Sequence, residues 1–232
     1  MGGFNSREVK SYDCLAAYYD ELLASPEDFD RWLAYVHQKP CHTVLELAAG
    51  SAIFSALLQA EGMEVTALDL SEKMKEAAKH NFTGPYLIKD MTDFDLDKRF
   101  DLITCVVDSI NYLNESQLTA CFACAYRHLL PGGRFIFDSH HPQRLAEFAD
   151  DYIEEGFLSD NVGYQWMIST EDEDILQHFS FYFDEGMVEE NHYQHVFSEE
   201  LLIEKLEAVG FNVEAIPEFI PGEKMLFIGE KK

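Results

Sequence analysis

Hydrophobic positions along the chain change their spacing in a regular order, which predicts alternating strands and helices. The apolar and β-branched run Thr43–Leu47 indicates a strand buried on both faces. Apolar residues then recur at helical spacing over residues 53–58, and Ser51 is the predicted N-cap of that helix. Residues 65–69 predict a second strand that ends in a carboxylate. The stretch therefore forms a β-α-β unit with a tight turn at Gly50.

The same alternation continues through three further strands. These strands are predicted at residues 85–89, 100–107 and 134–138, and a sharp turn at residues 130–133 precedes the last of them. Five rounds of strand and helix predict a Rossmann-like, doubly wound parallel sheet that binds its ligand at the carboxyl ends of the strands. Four of those ends carry a carboxylate: Asp69, Asp90, Asp108 and Asp138.

The pattern changes in the last third of the chain. Runs of alternating or aromatic character at residues 162–168, 175–183 and 188–197 predict an antiparallel β insertion. The main fold then resumes with a helix capped by Ser198. Two final strands, in residues 211–228, predict a C-terminal β-hairpin.

Helical spacing near the start of the chain predicts an N-terminal helical cap. Tyr12 opens the first stripe of apolar residues, and Ser25–Asp28 is a strong start for a second helix. The predicted fold class is α/β, a seven-stranded Rossmann-like sheet with this cap, the insertion and the hairpin. We expect one domain over residues 1–232, made of N-terminal helices (12–40), core (43–139 and 198–232) and insertion (150–197).

The net charge of the chain limits the kinds of partner that we expect it to bind. The 232 residues include 43 acidic and 17 basic side chains, for a formal net charge of −26. Such a field repels phosphates, so nucleic acids and anionic membranes are not expected partners. No apolar run reaches transmembrane length, and residues 1–10 lack a signal-peptide core. We therefore expect a cytoplasmic protein, and a homodimer is one option for its assembly.

The five cysteines do not indicate a disulfide framework. Their number is odd, and most of them fall on apolar periodicities. Cys121 and Cys124 have the spacing of a redox or zinc motif, but they share a helical stripe with Leu118 and Phe122. No second pair is present to complete a metal site, so we expect these thiols to pack in the core.

The β-α-β unit has the features of a site for an adenosine-containing cofactor. Its turn directs free backbone N–H groups and the positive end of a helix dipole at a polar ligand, and Gly50 allows close approach. Asp69, at the adjacent strand end, can accept two hydrogen bonds from a ribose diol. The alternative is an ordinary crossover with an exposed aspartate.

Several sequence motifs follow one another in an order and at a spacing that resemble those of a known protein family. The resemblance spans residues 12–230. The motifs are Val44-Leu-Glu-Leu-Ala-Ala-Gly-Ser-Ala52, Ala67-Leu-Asp-Leu-Ser71, Lys89-Asp-Met91, Asp108-Ser-Ile-Asn-Tyr-Leu113 and Leu130-Pro-Gly-Gly133. Through these motifs the chain resembles the class I S-adenosylmethionine-dependent methyltransferases. Within that family it resembles the small-molecule type, which has a β-insertion after strand five. The resemblance implies an enzyme that uses S-adenosylmethionine and transfers a methyl group by in-line displacement to a small-molecule acceptor, which we expect to be neutral or cationic.

The resemblance also implies which residues bind the cofactor. Glu46 and Gly50 would shape the pocket for the methionine moiety, and Asp69 would hold the ribose hydroxyls. Asp90 would accept from the adenine amino group, and Asp108 would lie near the amino-acid end of the cofactor. The full expected set is Tyr19, Glu46, Ala48, Gly50, Asp69, Leu70, Asp90, Met91 and Asp108. Tyr19 would close over the ligand or, alternatively, only anchor its helix to the sheet.

The first motif departs from the family pattern, because Ala48 and Ala52 replace its outer glycines. Ala48 adds a methyl group where backbone and ligand approach each other. One alternative is therefore a non-catalytic protein of the same fold that binds an adenosyl ligand or regulates. A nicotinamide-dependent reductase is another, although a dinucleotide fingerprint would place a third glycine where the chain has Ile53.

Four histidines are candidate general bases, and a base is needed only if the acceptor must lose a proton. His140 and His141 follow strand five, whereas His192 and His195 lie on the insertion. Alternation places His192 on the opposite face from His195, so we expect only part of this group to face the ligand. Their alternative roles are surface or structural histidines, or metal ligands, although their spacing matches no strong metal motif.

The aromatic residues of the insertion are expected to form a lid or a wall of the acceptor pocket. They are Tyr164, Trp166, Phe179, Phe181 and Phe183. The alternatives are plain core packing or a dimer surface.

Overall fold

The computed structural model describes residues 14–23 and 29–232, and two β-sheets organise it. The strands are β1 (Thr43–Leu47), β2 (Glu64–Asp69), β3 (Tyr86–Ile88), β4 (Phe100–Cys105), β5 (Leu129–His140), β6 (Tyr152–Phe157), β7 (Gly163–Glu171), β8 (Asp174–Phe183), β9 (Gly186–His195), β10 (Phe211–Ile220) and β11 (Lys224–Lys231). The α-helices are α1 (Leu15–Leu23), α2 (Asp30–Val36), α3 (Ile53–Ala60), α4 (Glu72–Ala78), α5 (Glu115–His128), α6 (Gln143–Glu147) and α7 (Glu199–Val209).

The larger sheet confirms the predicted Rossmann-like class. Its seven strands lie in the order β10-β11-β5-β4-β1-β2-β3, and β1 pairs in parallel with both β2 and β4. The last strand, β11, is antiparallel to both β5 and β10, which is the expected C-terminal hairpin. Because the parallel strands β1 to β5 end at one edge, the loops that follow them converge there.

The insertion is a separate four-stranded antiparallel sheet in the order β6-β7-β8-β9. Three of its strands were predicted, whereas β6 was missed. This edge strand is mostly exposed and carries Glu154, Glu155 and Gly156, so it lacks a regular alternation of apolar and polar positions. The prediction of a separate turn at residues 130–133 was also wrong in detail. Strand β5 begins at Leu129 and includes these residues, and its pairing with β4 shifts register there.

Apolar side chains on both faces of the larger sheet form the core. One layer includes Phe122, Phe135 and Phe137, and the other includes Trp32, Phe54 and Leu226. Cys105, Cys121 and Cys124 are buried free thiols, which confirms core packing for that helical stripe. No helix in the described part of the chain combines the length and apolarity needed to cross a membrane.

The two N-terminal helices pack against different parts of the molecule. Leu15 of α1 lies in a cluster with Phe179 and Phe181 of the insertion. The buried carboxylate of Glu190 on β9 accepts hydrogen bonds from the backbone N–H groups of Cys14 and Leu15, where it stabilises the start of α1. The predicted helix signals at Tyr12 and Ser25–Asp28 lie outside the described residues.

The turn between β1 and α3 has an unusual backbone. Ala48, Gly50 and Ala52 all have positive φ, at 51°, 54° and 59°. Ser51 is not the N-cap of α3, contrary to prediction, because left-handed Ala52 takes that position and the helix begins at Ile53. In this left-handed backbone conformation alanine has a steric cost that glycine does not have. The two alanines therefore keep the backbone path that glycines would give this turn.

We expect Ala48→Gly to stabilise the protein by about 0.5–1 kcal/mol, since glycine removes a left-handed alanine at the cost of a more flexible unfolded chain. Urea denaturation measures this change in the free energy of unfolding. Ala56→Gly, within α3, is the matched control and should instead destabilise by about 1 kcal/mol. Equal losses in both variants would contradict the strain at position 48.

Candidate functional site

A cavity of about 1550 Å³ opens where the carboxyl ends of the parallel strands meet the insertion sheet. This volume exceeds the range of about 300–1000 Å³ that is usual for one small-molecule pocket. Eleven of the residues predicted as site residues line it: Tyr19, Ala48, Gly50, Asp69, Leu70, Asp90, Met91, Asp108, His140, His192 and His195. The two exceptions are Glu46 and His141.

Asp69 organises the β1–α3 turn at one end of this cavity. One carboxylate oxygen accepts the N–H of Gly50 at 2.9 Å, and the other accepts the N–H of Ser71 at 2.8 Å. The N–H groups of Ala49 and Ala52 are bonded to other backbone carbonyls. The expectation of free N–H groups at this turn was therefore wrong for these three residues. Each Asp69 oxygen keeps a further lone pair that can accept from a ligand.

Glu46 lies behind this turn. Its carboxyl group is buried, accepts a hydrogen bond from the Ser55 hydroxyl, and borders a small side cavity together with Ala48 and Gly50. Burial raises the pKa of Glu46 to about 8, although the bonds from Ser55 act in the opposite direction. Glu46 is therefore mostly protonated at neutral pH, and it packs behind the β1–α3 turn.

Asp90, Met91 and Leu70 form the outer part of the same end. The exposed Asp90 uses one carboxylate oxygen to accept from the backbone and hydroxyl of Thr92. Leu70 has 65% of its surface exposed, although it is apolar and borders the cavity. The exposed apolar side chain of Leu70 lies in the same part of the cavity as the carboxylates of Asp69 and Asp90. This combination suits a ligand that has a flat ring with polar groups at its edges.

Asp108 follows β4 in a strained loop. Val107 and Asp108 have φ values of 60° and 55°, which are uncommon for side chains of these types. Asp138 accepts the N–H groups of both residues, at 2.7 and 3.0 Å. It also accepts from the indole of Trp32 and from Lys224. Asp138 is fully buried and does not line the cavity, so the expectation of four ligand-facing strand-end carboxylates was wrong for this residue.

Lys224 was not singled out by sequence reasoning. Its Nζ lies 2.5 Å from Asp108 Oδ2 and 3.3 Å from Asp138 Oδ2. The residue starts β11, where it pairs in register with His140 at the end of β5. The only signal in the sequence is a lysine just after the turn that contains Gly222, which carries no information about this pairing.

The four candidate histidines have different positions. His140 is buried, and its Nε2 lies 3.0 Å from Gln194 Oε1. His192 is also buried, whereas His195 is half exposed and its Nδ1 lies 2.6 Å from Asp174 Oδ1. His141 is directed away from the cavity towards Glu218, because the chain turns into α6 there.

Asn111 holds the end of the insertion against the core. Its side chain donates to the backbone carbonyl of His195 at 2.6 Å and to the hydroxyl of Ser139 at 3.0 Å. Its carbonyl oxygen accepts from the backbone N–H of His140. This fully buried amide and the buried Gln194 were missed as site residues. The period-2 alternation that places His192 on the inner face also places Gln194 there.

Part of the aromatic group forms a pocket wall. Trp166 and Phe179 line the cavity with their rings stacked 5.4 Å apart. Phe181 instead packs in the core against Tyr18, and Phe183 is exposed. Within residues 14–23 and 29–232, no group of three or more His, Cys, Asp or Glu side chains is arranged to hold a metal ion.

The raised pKa of Glu46 predicts a pH-dependent contribution to stability. Its pKa is about 8 in the folded chain and near 4.5 ordinarily, so protonation favours the folded state fully below pH 4.5. This contribution is lost as pH rises through 8. We expect Glu46→Gln, which stays neutral, to gain thermal stability relative to the wild type between pH 5 and pH 8.

Thermal melts across that range measure the difference. Glu204→Gln, at an exposed position of α7, serves as the control and should follow the wild type at every pH. A constant difference between the Glu46→Gln and wild-type melting temperatures would contradict a neutral Glu46.

Comparison with known proteins places this geometry in a family. Residues 44–133 match the model of a methyltransferase domain. The chain is 28% identical over 220 residues to the protein YqeM of Bacillus subtilis (strain 168), with 88% of each chain covered. It is 31% identical over 124 residues to the dTDP-4-amino-2,3,4,6-tetradeoxy-D-glucose N,N-dimethyltransferase of Saccharopolyspora spinosa, covering 53% of this chain and 47% of that one.

Solved structures share the fold over nearly the whole chain. The S-adenosylmethionine-dependent methyltransferase of Clostridium acetobutylicum ATCC 824 has a TM-score of 0.77 at 23% identity, covering 95% of this chain and 98% of its own. The sugar N-methyltransferase KedS8 of Streptoalloteichus sp ATCC 53650 has a TM-score of 0.78 at 21% identity, covering 100% and 97%. The chain therefore has the fold of the S-adenosylmethionine-dependent methyltransferases, and residues 44–133 of it match a methyltransferase domain.

Proposed function

We propose that this protein transfers a methyl group from S-adenosylmethionine to a small-molecule acceptor that is neutral or cationic. The observation that carries the proposal is one continuous cavity with two chemically different ends. Its volume has room for a cofactor and an acceptor together. The name of one relative describes an acceptor that is a sugar derivative, which also supports a small molecule.

The end of the cavity that contains Asp69 is the proposed cofactor end, and it offers hydrogen-bond acceptors and apolar surface that suit S-adenosylmethionine. Asp69 and Asp90 offer carboxylate oxygens to the ribose hydroxyls and the adenine amino group, and Leu70 and Met91 offer apolar surface to the ring. Tyr19, from α1, covers the turn at Gly50, where an added Cβ would lie 4.0 Å from its ring. When bound, the cofactor supplies an electrophilic methyl group on a positively charged sulfur.

The acceptor end is built from the insertion. Trp166 and Phe179 provide a flat apolar wall, while Asp174, Glu189 and Glu223 add negative charge at its border. These carboxylates disfavour an anionic acceptor. The residues of this end align the acceptor and exclude water, which are the main contributions to an in-line displacement. His140, His192 and His195 remain the candidates for accepting a proton.

We expect Asp69→Ala to weaken binding of both S-adenosylmethionine and S-adenosylhomocysteine at least tenfold, since it removes the acceptor for the ribose diol and the anchor of Gly50. Isothermal titration calorimetry measures both affinities. Asp69→Asn keeps one acceptor oxygen and should lose less, while Asp93→Ala, outside the cavity, should bind as the wild type does. Failure of the wild type to bind either ligand would overturn the proposed function.

A further inference from the structure

We propose that the acceptor carries an amine, and that Asp108 Oδ1 and His140 Nδ1 together bind its N–H groups and receive its proton. The inference rests on the proposed function and extends it to the reacting group. It depends on two neighbouring hydrogen-bond acceptors that the fold fixes side by side at the wall of the cavity.

A chain of hydrogen bonds determines which nitrogen of His140 is available. The indole of Trp166 is only a donor, so the atom of Gln177 that it contacts at 3.2 Å is the carbonyl oxygen. The Gln177 amide N–H₂ therefore donates to Gln194 Oε1, at 2.6 Å. This oxygen is an acceptor, and so His140 Nε2, at 3.0 Å, must carry the proton.

Neutral His140 then presents its Nδ1 lone pair to Asp108. Burial lowers the pKa of the His140 imidazole, so the neutral form is the stable one at pH 7. Nδ1 lies 3.5 Å from Asp108 Oδ1. Among the described residues this carboxylate oxygen receives no hydrogen bond, although it is buried. Two neighbouring acceptors with no donor between them among the described residues can be bridged by a donor from a ligand.

The charges around Asp108 and His140 favour binding of a cation between these two side chains. The ammonium group of Lys224, 2.5 Å from Asp108 Oδ2, favours the ionised form of Asp108. The carboxylates of Asp108 and Asp138 face the single ammonium group of Lys224, which leaves one net negative charge. Arg144, which also faces His140, is itself paired with Glu147 at 2.7 Å. A bound ammonium group would neutralise the cluster.

The position of Asp108 suits a reacting group. Its neighbours in sequence, Val107 and Ser109, border the small side cavity together with Ala48 and Gly50 of the cofactor turn. On the other side, the amide of Gln194 reaches the Asp108 carbonyl oxygen at 3.4 Å. Asp108 therefore stands at the junction between the cofactor end and the acceptor end of the cavity.

The proton balance of the reaction follows from this arrangement. The acceptor ammonium gives one proton to His140 Nδ1, which becomes an imidazolium and keeps its Nε2–H bond to Gln194. The freed amine lone pair forms a bond to the methyl carbon, the carbon–sulfur bond breaks, and its electron pair stays on sulfur. The products are a methylated ammonium, a neutral thioether and a protonated His140, so both positive charges are conserved.

Sinefungin provides a probe that needs no acceptor, because it carries an amine-bearing carbon where the cofactor has its methylated sulfur. We expect the wild type to bind sinefungin at least tenfold more tightly than S-adenosylhomocysteine, which has no amine there. Asp108→Asn should remove about tenfold of this preference, since its amide oxygen can still pair with Lys224 while its N–H₂ group would face the ligand amine. Calorimetric titration of both ligands measures the preference, and an S-adenosylhomocysteine affinity within about threefold of the wild type shows that the cofactor end is intact.

Variants of His140 identify the nitrogen. His140→Asn places an oxygen near the Nδ1 position and should retain most of the preference for sinefungin. His140→Gln places its polar group near Nε2 and should lose the preference. This contrast does not depend on Asp108, so the proposal stays testable if Asp108→Asn does not fold.

Glu72→Gln is the matched control, because it removes a carboxylate that lines the same cavity at the start of α4, away from the amine site. An equal loss of preference in Glu72→Gln and Asp108→Asn would assign the effect to general charge and overturn the proposal. Equal weakening of both ligands by Asp108→Asn would assign Asp108 to the cofactor's amino-acid end and would also overturn it. A wild type that binds both ligands without preference overturns the amine site alone, whereas one that binds neither overturns the proposed function.

Discussion

The loop that carries Asp108 depends on the hydrogen bonds that the buried carboxylate of Asp138 accepts. Two consecutive residues, Val107 and Asp108, hold left-handed conformations that cost free energy. Asp138 compensates by accepting both of their N–H groups, and it is itself fixed by Trp32 and Lys224. Helix α2, strands β4, β5 and β11 thus meet at one side chain. The direction in which Asp108 faces follows from this junction.

Local features of the chain were predictable because their causes are local. Asn114 forms the capping box that begins α5, and Ser71 caps α4, since each side chain bonds N–H groups within three residues of itself. The order of strands and helices followed from apolar periodicity for the same reason. The resemblance to a family then supplied the cofactor end, because its motifs lie on continuous stretches such as residues 44–52.

The acceptor end was less predictable, because strand pairing brings its residues together from distant parts of the chain. Lys224 reaches Asp108 only because β11 runs antiparallel to β5. Gln194 reaches His140 only because the insertion sheet folds back over the core. The backbone of the β1–α3 turn was missed for a different reason: alanines at positions 48 and 52 give no sign of positive φ, which glycines would have given.

Asn111 has a consequence for how this molecule can change in evolution. Its one amide bonds the last residue of β5, His140, and the last residue of β9, His195. The insertion therefore leaves and rejoins the core at nearly the same place. A lineage can lengthen, shorten or replace the intervening sheet without moving the strands of the larger sheet. The insertion and the core can therefore change independently of each other.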